Sequence, residues 1–84
     1  MPRLNWTIIL SNITDAREQL EELEARRQNG ERITEVEYQV MIQHAYHHLN
    51  FAWNARHQPT VRYKHLTKQD FQRWGKLPKD LDFI

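Results

Sequence analysis

Residues 34–56 read TEVEYQVMIQHAYHHLNFAWNAR, and their apolar side chains recur with the period of an α-helix. At roughly 100° per residue they form a broad face and, nearly opposite, a narrower stripe. The broad face comprises Tyr38, Met41, Ile42, Ala45, Tyr46, Leu49, Ala52 and Trp53. The minor stripe comprises Val36, Val40, His44, His47 and Phe51. Because a helix with two apolar sides needs cover from two directions, the pattern predicts a central helix.

The chain has 84 residues, the length of one small domain. It contains no cysteine, which excludes Cys-ligated metal centres and thiol catalysis and fits a reducing compartment. No apolar run approaches the ~20 residues of a transmembrane helix, and the N-terminal LNWTIIL is too short and too polar for a signal-peptide core. Three Trp, three Tyr and three Phe supply core side chains. We therefore expect a folded, cytoplasmic protein.

A first helix is predicted over residues 4–28, with Asn29-Gly30 as its end because Gly readily adopts a left-handed C-cap conformation. Its apolar positions alternate in steps of three and four, as in a coiled-coil seam. The seam comprises Trp6, Ile9, Ile13, Ala16, Leu20 and Leu23. Ile8 falls off it. The short polar connection QNGER predicts that the next helix returns antiparallel, which makes a helical hairpin.

The second helix is predicted over residues 35–56, with Thr34 and Glu37 as its capping box. Pro59 disfavours helical dihedrals before it, so an extended segment is expected to follow. Thr67 and Asp70 form a second capping box, which predicts a short helix over residues 68–74 and an aperiodic tail over residues 75–84. The predicted fold is one all-α domain, 1–84, an antiparallel two-helix hairpin with a short third helix, completing a helical bundle as a dimer.

The segment after Pro59 is the expected cover of the minor stripe, since it carries the next apolar side chains in the chain. The covering residues are Val61, Leu66, Phe71 and Trp74. If His44 or His47 is buried neutral beneath them, desolvation lowers its pKa below the usual value of about 6.5.

Histidines supply the most chemical-looking pattern, because His44 and His48 have the i,i+4 spacing that lets two imidazoles reach one metal ion. Glu37 lies two turns before His44, about 10 Å along the axis at ~1.5 Å per residue, and is too far from His48 to share an ion with it. We therefore expect no metal and no cofactor, with His44 and His48 as weak candidate ligands. No nucleophile motif or phosphate-binding Gly loop is present, so we expect no enzymatic activity.

Charge is distributed unevenly. Residues 1–43 carry eight acids and five bases, whereas residues 44–84 carry seven bases and three acids. Bases and aromatic rings alternate between residues 56 and 79, a mixture that can neutralise phosphates and stack on bases. A nucleic-acid-binding module is therefore the alternative function, with these binding residues: Arg62, Lys64, Lys68, Arg73 and Lys76. The sequence pI of 8.2 lies below the strongly basic range of such modules.

The function we favour from the sequence is a small non-catalytic interaction or regulatory protein that acts through helical surfaces, as a homodimer or with another helical protein. Asn residues within an apolar helix can hydrogen-bond across an interface and fix its register, and the alternative interpretation of these positions is a solvated polar strip. The predicted partner-binding residues are Tyr46, Asn50, Trp53 and Asn54.

Overall fold

A computed structural model describes residues 3–81, and these are all-α. Four helices occur in this range: α1 Trp6–Gln28, α2 Glu35–Asn54, α3 Thr60–Lys64 and α4 Lys68–Trp74. Helices α1 and α2 pack along their lengths as the predicted antiparallel hairpin. None of the helices in the described range is long and apolar enough to cross a membrane. The predicted tail extends past this range at residues 82–84.

Helix α1 begins at Trp6, two residues later than predicted, because Asn5 is its N-cap. The Asn5 side-chain oxygen accepts hydrogen bonds from the backbone N–H groups of Thr7 and Ile8, which are otherwise without partners at a helix start. The Asn5 N–H also donates to the carbonyl of Arg56 at 2.6 Å, which fixes the start of α1 to the end of α2. The helix ends before Gly30, whose φ of 77° is the left-handed conformation that the sequence predicts.

Helix α2 has the predicted N-cap, Thr34, whose hydroxyl accepts from the N–H of Glu37. It ends at Asn54, two residues before the predicted end. The Glu37 carboxylate accepts from the Thr34 hydroxyl at 3.2 Å and from the Arg26 guanidinium at 2.9 Å. The Arg26–Glu37 ion pair joins the two helices, and a second ion pair, Arg26–Glu31, connects α1 to the hairpin loop.

The segment after Pro59 was predicted to be extended, and this is wrong for residues 60–64, which form α3. Pro59 is the N-cap of α3 with φ −64° and ψ 146°, so it keeps Gln58 out of the helix while opening the next one. The carbonyl of Pro59 accepts from the N–H of Tyr63 at 3.0 Å. A proline can therefore separate two helices without producing a strand-like segment.

Helix α4 has the predicted bounds and both hydrogen bonds of the Thr67–Asp70 capping box. Gly75 follows it with φ −82°, so a left-handed turn is not the reason for a glycine here. A Cβ atom at Gly75 would lie 2.7 Å from Cε1 of His47, which any residue with a side chain would have to displace. The glycine lets α4 approach α2 closely.

The main core lies where α1, α2 and α4 meet, and its buried members are Ile8, Phe51, Ala55 and Trp74. Tyr63 and Leu66 pack against this core from the α3–α4 side. Ile8 is only 2% exposed, although it falls off the heptad seam. The seam itself is divided, because Ile9 and Ala16 are buried while Trp6, Ile13 and Leu20 remain partly open.

The expected cover of the minor stripe is present over one half of it. Phe51 is buried, and its ring contacts Trp74 and Phe71 at centroid distances of 6.4 and 5.5 Å. The other half is open, since Val36 and Val40 are 69% and 60% exposed. Val61 was predicted to cover the stripe and does not, because it is 72% exposed on the outer side of α3.

Candidate functional site

One side of the hairpin carries a continuous row of partly exposed apolar side chains, which we call the hairpin face. Its members are Leu4, Trp6, Ile13, Leu20, Tyr46 and Leu49. Trp6 and Tyr46 are the most open, at 57% and 58% exposed. Helices α3 and α4 pack on the opposite side of the hairpin and leave most of this face open, whereas Leu81 of the C-terminal segment reaches one end of it. Exposed apolar area of this extent is characteristic of interaction surfaces.

Two depressions indent the hairpin face, one at each end. The depression between Trp6 and Trp53 has a volume of about 400 Å³. The depression between Leu20 and Tyr46 has a volume of about 230 Å³, and Leu49 lines both. Ile13 and Leu49 therefore lie near the middle of the face, with a concave apolar region on either side.

Two of the predicted partner-binding residues belong to this face. Tyr46 projects from it, whereas Trp53 is partly buried at its edge. The Trp53 indole N–H donates to the Asp80 carboxylate at 2.9 Å, which lowers the pKa of that carboxyl. The Arg56 guanidinium lies 3.9 Å from the ring centroid of Trp53. Trp53 thus connects the hairpin face to the C-terminal segment.

The other two predicted partner-binding residues form hydrogen bonds within the chain. The Asn50 side chain donates to the carbonyl of Gly75 at 2.8 Å. The Asn54 side chain donates to the carbonyls of Trp74 and Lys76, also at 2.8 Å. Their amides satisfy the carbonyls at the end of α4, where a helix lacks its own donors. Their structural role is to hold the C-terminal segment against α2.

Histidines line the other side of the hairpin. The rings of His44 and His48 are stacked with centroids 4.9 Å apart, and Nδ1 of His48 lies 3.8 Å from the Asp15 carboxylate. Among the described residues, no group of three or more His, Asp or Glu side chains is arranged to hold a metal ion. The two candidate ligands, His44 and His48, are therefore neighbours in the structure, with the Asp15 carboxylate near one of them.

Asn12 organises the base of the histidine side, and the sequence patterns did not single it out. It is 3% exposed, and its amide N–H donates to the carbonyl of Ile8 and to the Tyr63 hydroxyl, both at 3.0 Å. Its side-chain oxygen lies 3.2 Å from Nδ1 of His48. The sequence signal was available, since Asn12 follows Ile8 by one helical turn on the same flank of α1.

Asn12 lies at the floor of a groove made of two adjoining depressions that share His44 and His48, which we call the histidine groove. The first has a volume of about 270 Å³, and its remaining lining residues are Asn12, His47, Phe51, Tyr63, Leu66 and Phe71. The second has a volume of about 290 Å³, and its remaining lining residues are Asp15, Glu18, Gln19 and Glu22. The groove is aromatic at one end and acidic at the other.

His47 stands in the aromatic wall of this groove. Its ring centroid is 4.6 Å from that of Phe51 and 4.8 Å from that of Phe71. Burial lowers the pKa of His47, and the imidazoles of His48 and His44 lower it further because a second positive charge beside them is unfavourable. The lowered pKa favours the neutral form of His47, which packs against the two phenyl rings as an aromatic side chain does.

The predicted nucleic-acid-binding residues divide into two groups. Arg62 and Arg73 form ion pairs with the buried Asp70, and both guanidinium groups lie near the ring of Trp74. The hydrogen bond from Arg62, with those from Thr67, lowers the pKa of Asp70 to about 2. The lysines of the set are exposed, with no ion pair to another described residue: Lys64, Lys68 and Lys76. Trp74 is buried and Tyr63 is partly buried, so these two rings are not presented for base stacking, whereas Phe71 of the same segment is 50% exposed.

Comparison of the chain with protein-family models, with curated proteins and with solved structures finds no match.

Proposed function

We propose that the protein is a small non-catalytic interaction module that works as a homodimer through its hairpin face. The observation that carries this proposal is the open apolar row on one side of the hairpin, in a chain whose C-terminal helices pack on the other side. A lone pair of helices buries only part of each apolar face, whereas four helices from two copies enclose a common core. Such an interface is isologous, so the same face serves both subunits.

The charges favour a dimer in which the hairpin loops lie at opposite ends. Residues 21–37, around the loop, carry six acids and three bases, whereas residues 56–79 near the other end carry seven bases and one acid. A two-fold axis perpendicular to the helices places each acidic end against the basic end of its partner. A two-fold axis parallel to the helices would place like charges together.

The same arrangement fits the shape of the face. In α1, Trp6 and Leu20 each lie seven residues from Ile13, about 10 Å along the axis at ~1.5 Å per residue. An axis near Ile13 therefore brings the protruding Trp6 of one copy over the smaller depression beside Leu20 and Tyr46 of the other. A large side chain then enters a concave apolar region, as buried anchors of interfaces do.

Nucleic-acid binding is the weaker alternative, since two of its five cations are engaged by Asp70 and the ring of Trp74 lies in the core. The remaining lysines would act through phosphate contacts, so any affinity should fall steeply with salt. Titration of single-stranded DNA at 50 and 200 mM salt separates this function from the interaction function. We expect no binding at 200 mM.

Sedimentation equilibrium over 1–100 µM tests the dimer. We expect a dimer that Leu49→Glu dissociates, because the substitution places a charge in the middle of the hairpin face. Val36→Glu is the matched control, since Val36 is an exposed apolar residue on the other side of the same helix and should leave the dimer intact. A wild-type chain that is monomeric at 100 µM contradicts the proposal.

Because the chain has no cysteine, disulfide cross-linking can test the orientation. The Ile13→Cys variant should form a covalent dimer, since the two copies of this residue lie near the axis. Trp6→Cys and Leu20→Cys should cross-link poorly alone and efficiently when the two variants are mixed. Cross-linking of Trp6→Cys with itself would instead support hairpin loops at the same end.

A further inference from the structure

The histidine groove has the features of a ligand site that is separate from the hairpin face. Its aromatic depression of about 270 Å³ exceeds the ~150 Å³ cavity that accommodates a benzene molecule in a protein core. Phe51 and Phe71 form its apolar wall, with ring centroids 5.5 Å apart. Phe71 is 50% exposed, although it lies within this wall, so a ligand ring could bury the open part of it.

Polar groups at the floor of the aromatic depression are already satisfied by one another. Asn12 and Tyr63 exchange hydrogen bonds at 3.0 and 3.3 Å, and His48 lies within hydrogen-bond distance of Asn12. A ligand entering here can therefore be apolar without leaving a buried donor or acceptor unpaired. An aromatic ring suits this end better than a polar group.

The adjoining depression has the opposite character, because Asp15, Glu18 and Glu22 line it from α1. Among the described residues, neither Glu18 nor Glu22 pairs with an Arg or Lys side chain, and the neighbour of Asp15 is His48, an imidazole at 3.8 Å. Carboxylates that surround an open concave region attract a cation. The negative charge at this end of the groove thus favours a ligand that carries a positively charged group beside its aromatic ring.

We propose that the histidine groove binds a small organic amine that joins one aromatic ring to an ammonium group through a short arm. The ring enters the depression between Phe51, Leu66 and Phe71. The ammonium group lies past His44, among the carboxylates of α1. A ligand with the same ring and a negatively charged end would meet those carboxylates unfavourably, which makes the sign of the charge the main determinant of specificity.

A matched pair of compounds tests this, with the wild-type protein followed by NMR. The probes are 2-phenylethylammonium and 3-phenylpropanoate, which share the ring and the arm and differ in charge. We expect the amine to bind at least tenfold more tightly and to shift the resonances of the Asn12 side-chain amide, the His44 ring and Phe71. Equal affinity for the two compounds, or shifts centred on Trp6 and Leu49, would overturn the proposal.

Two double variants separate the groove from general electrostatic attraction. Glu18→Gln with Glu22→Gln should weaken amine binding at least threefold, because the ammonium loses two carboxylates. Glu21→Gln with Glu24→Gln removes the same charge from other sides of α1 and should change affinity by less than twofold. Equal losses in both pairs would show that the amine responds to net charge alone and would contradict the site.

The proposal of an amine site and the proposal of a dimer can be tested independently of each other. The Leu49→Glu variant removes the apolar centre of the hairpin face and leaves the groove residues unchanged. We expect it to bind 2-phenylethylammonium within twofold of the wild-type affinity. Loss of amine binding in this variant would place the site at the dimer interface and refute a separate groove.

Discussion

Ile8 provides the sharpest test of the fold, because the structure buries it and the heptad pattern leaves it out. It is 2% exposed and packs in the core with Phe51, Ala55 and Trp74. Ile8→Ala removes three carbon atoms, worth about 2.4 kcal/mol at ~0.8 kcal/mol per buried group. The cavity left behind adds to this, so we expect a loss of about 3 kcal/mol in the free energy of unfolding.

Such a loss would be large for this chain. An 84-residue domain has a total stability on the order of 4–13 kcal/mol. Urea denaturation followed by far-UV circular dichroism measures the difference, and Ile8→Val should lose about 1 kcal/mol as an intermediate step. Measurements should be made at one protein concentration, since any dimerisation adds a concentration-dependent contribution to stability.

Leu10 supplies the matched control, because it is an apolar residue of the same helix and is 54% exposed. Leu10→Ala should change the free energy of unfolding by no more than about 0.5 kcal/mol. The reasoning is refuted if Ile8→Ala and Leu10→Ala cost the same, or if Ile8→Ala costs less than about 1 kcal/mol. Either result would mean that α4 does not close the core over this flank of α1.

Three further outcomes follow from single contacts. Because the pKa of His47 is lowered in the folded state, the neutral form of His47 stabilises the fold above pH ~6.5, and this stabilisation is lost as pH falls through that value. Between pH 8 and pH 5 the midpoint of urea denaturation should therefore fall less in His47→Phe than in the wild type. Asn54→Ala removes two hydrogen bonds to the C-terminal segment, and a loss of ~1 kcal/mol should speed tryptic cleavage after Lys76 about fivefold. The lowered pKa of Asp70 means that its ionised form stabilises the fold above pH ~4 and that this stabilisation is lost as pH falls toward 2. Asp70→Asn should therefore lower the melting temperature at pH 7 and have less effect at pH 2.

Local signals predicted the hairpin and the last helix well, because caps and turns are decided by neighbouring residues. Thr67 and Asp70 lie three residues apart and satisfy each other, so the start of α4 needed no tertiary information. Gly30 likewise ends α1 through its own conformational freedom. The start of α1 was misplaced because Asn5, its N-cap, was not recognised within the apolar run around it.

Tertiary packing decided what the periodic pattern could not. The heptad seam of α1 assumes one partner helix, yet α1 contacts α2 along the seam and the α3–α4 segment along one flank. That second contact buries Ile8 and Asn12, which a two-helix pattern places outside the core. Trp6, which the pattern places in the seam, is 57% exposed in the structure.

The position of the C-terminal segment determines which surfaces of the hairpin remain available. Asn50 and Asn54 bind the carbonyls after α4, so the segment is held along the outer side of α2 and over the flank that contains Phe51. Had α3 and α4 packed on the other flank, they would have covered Leu49 and the rest of the hairpin face. The asparagines that suggest a partner from the sequence thus favour one by another route, because they hold the end of α4 against α2 while Leu20, Tyr46 and Leu49 stay exposed for a second copy to cover.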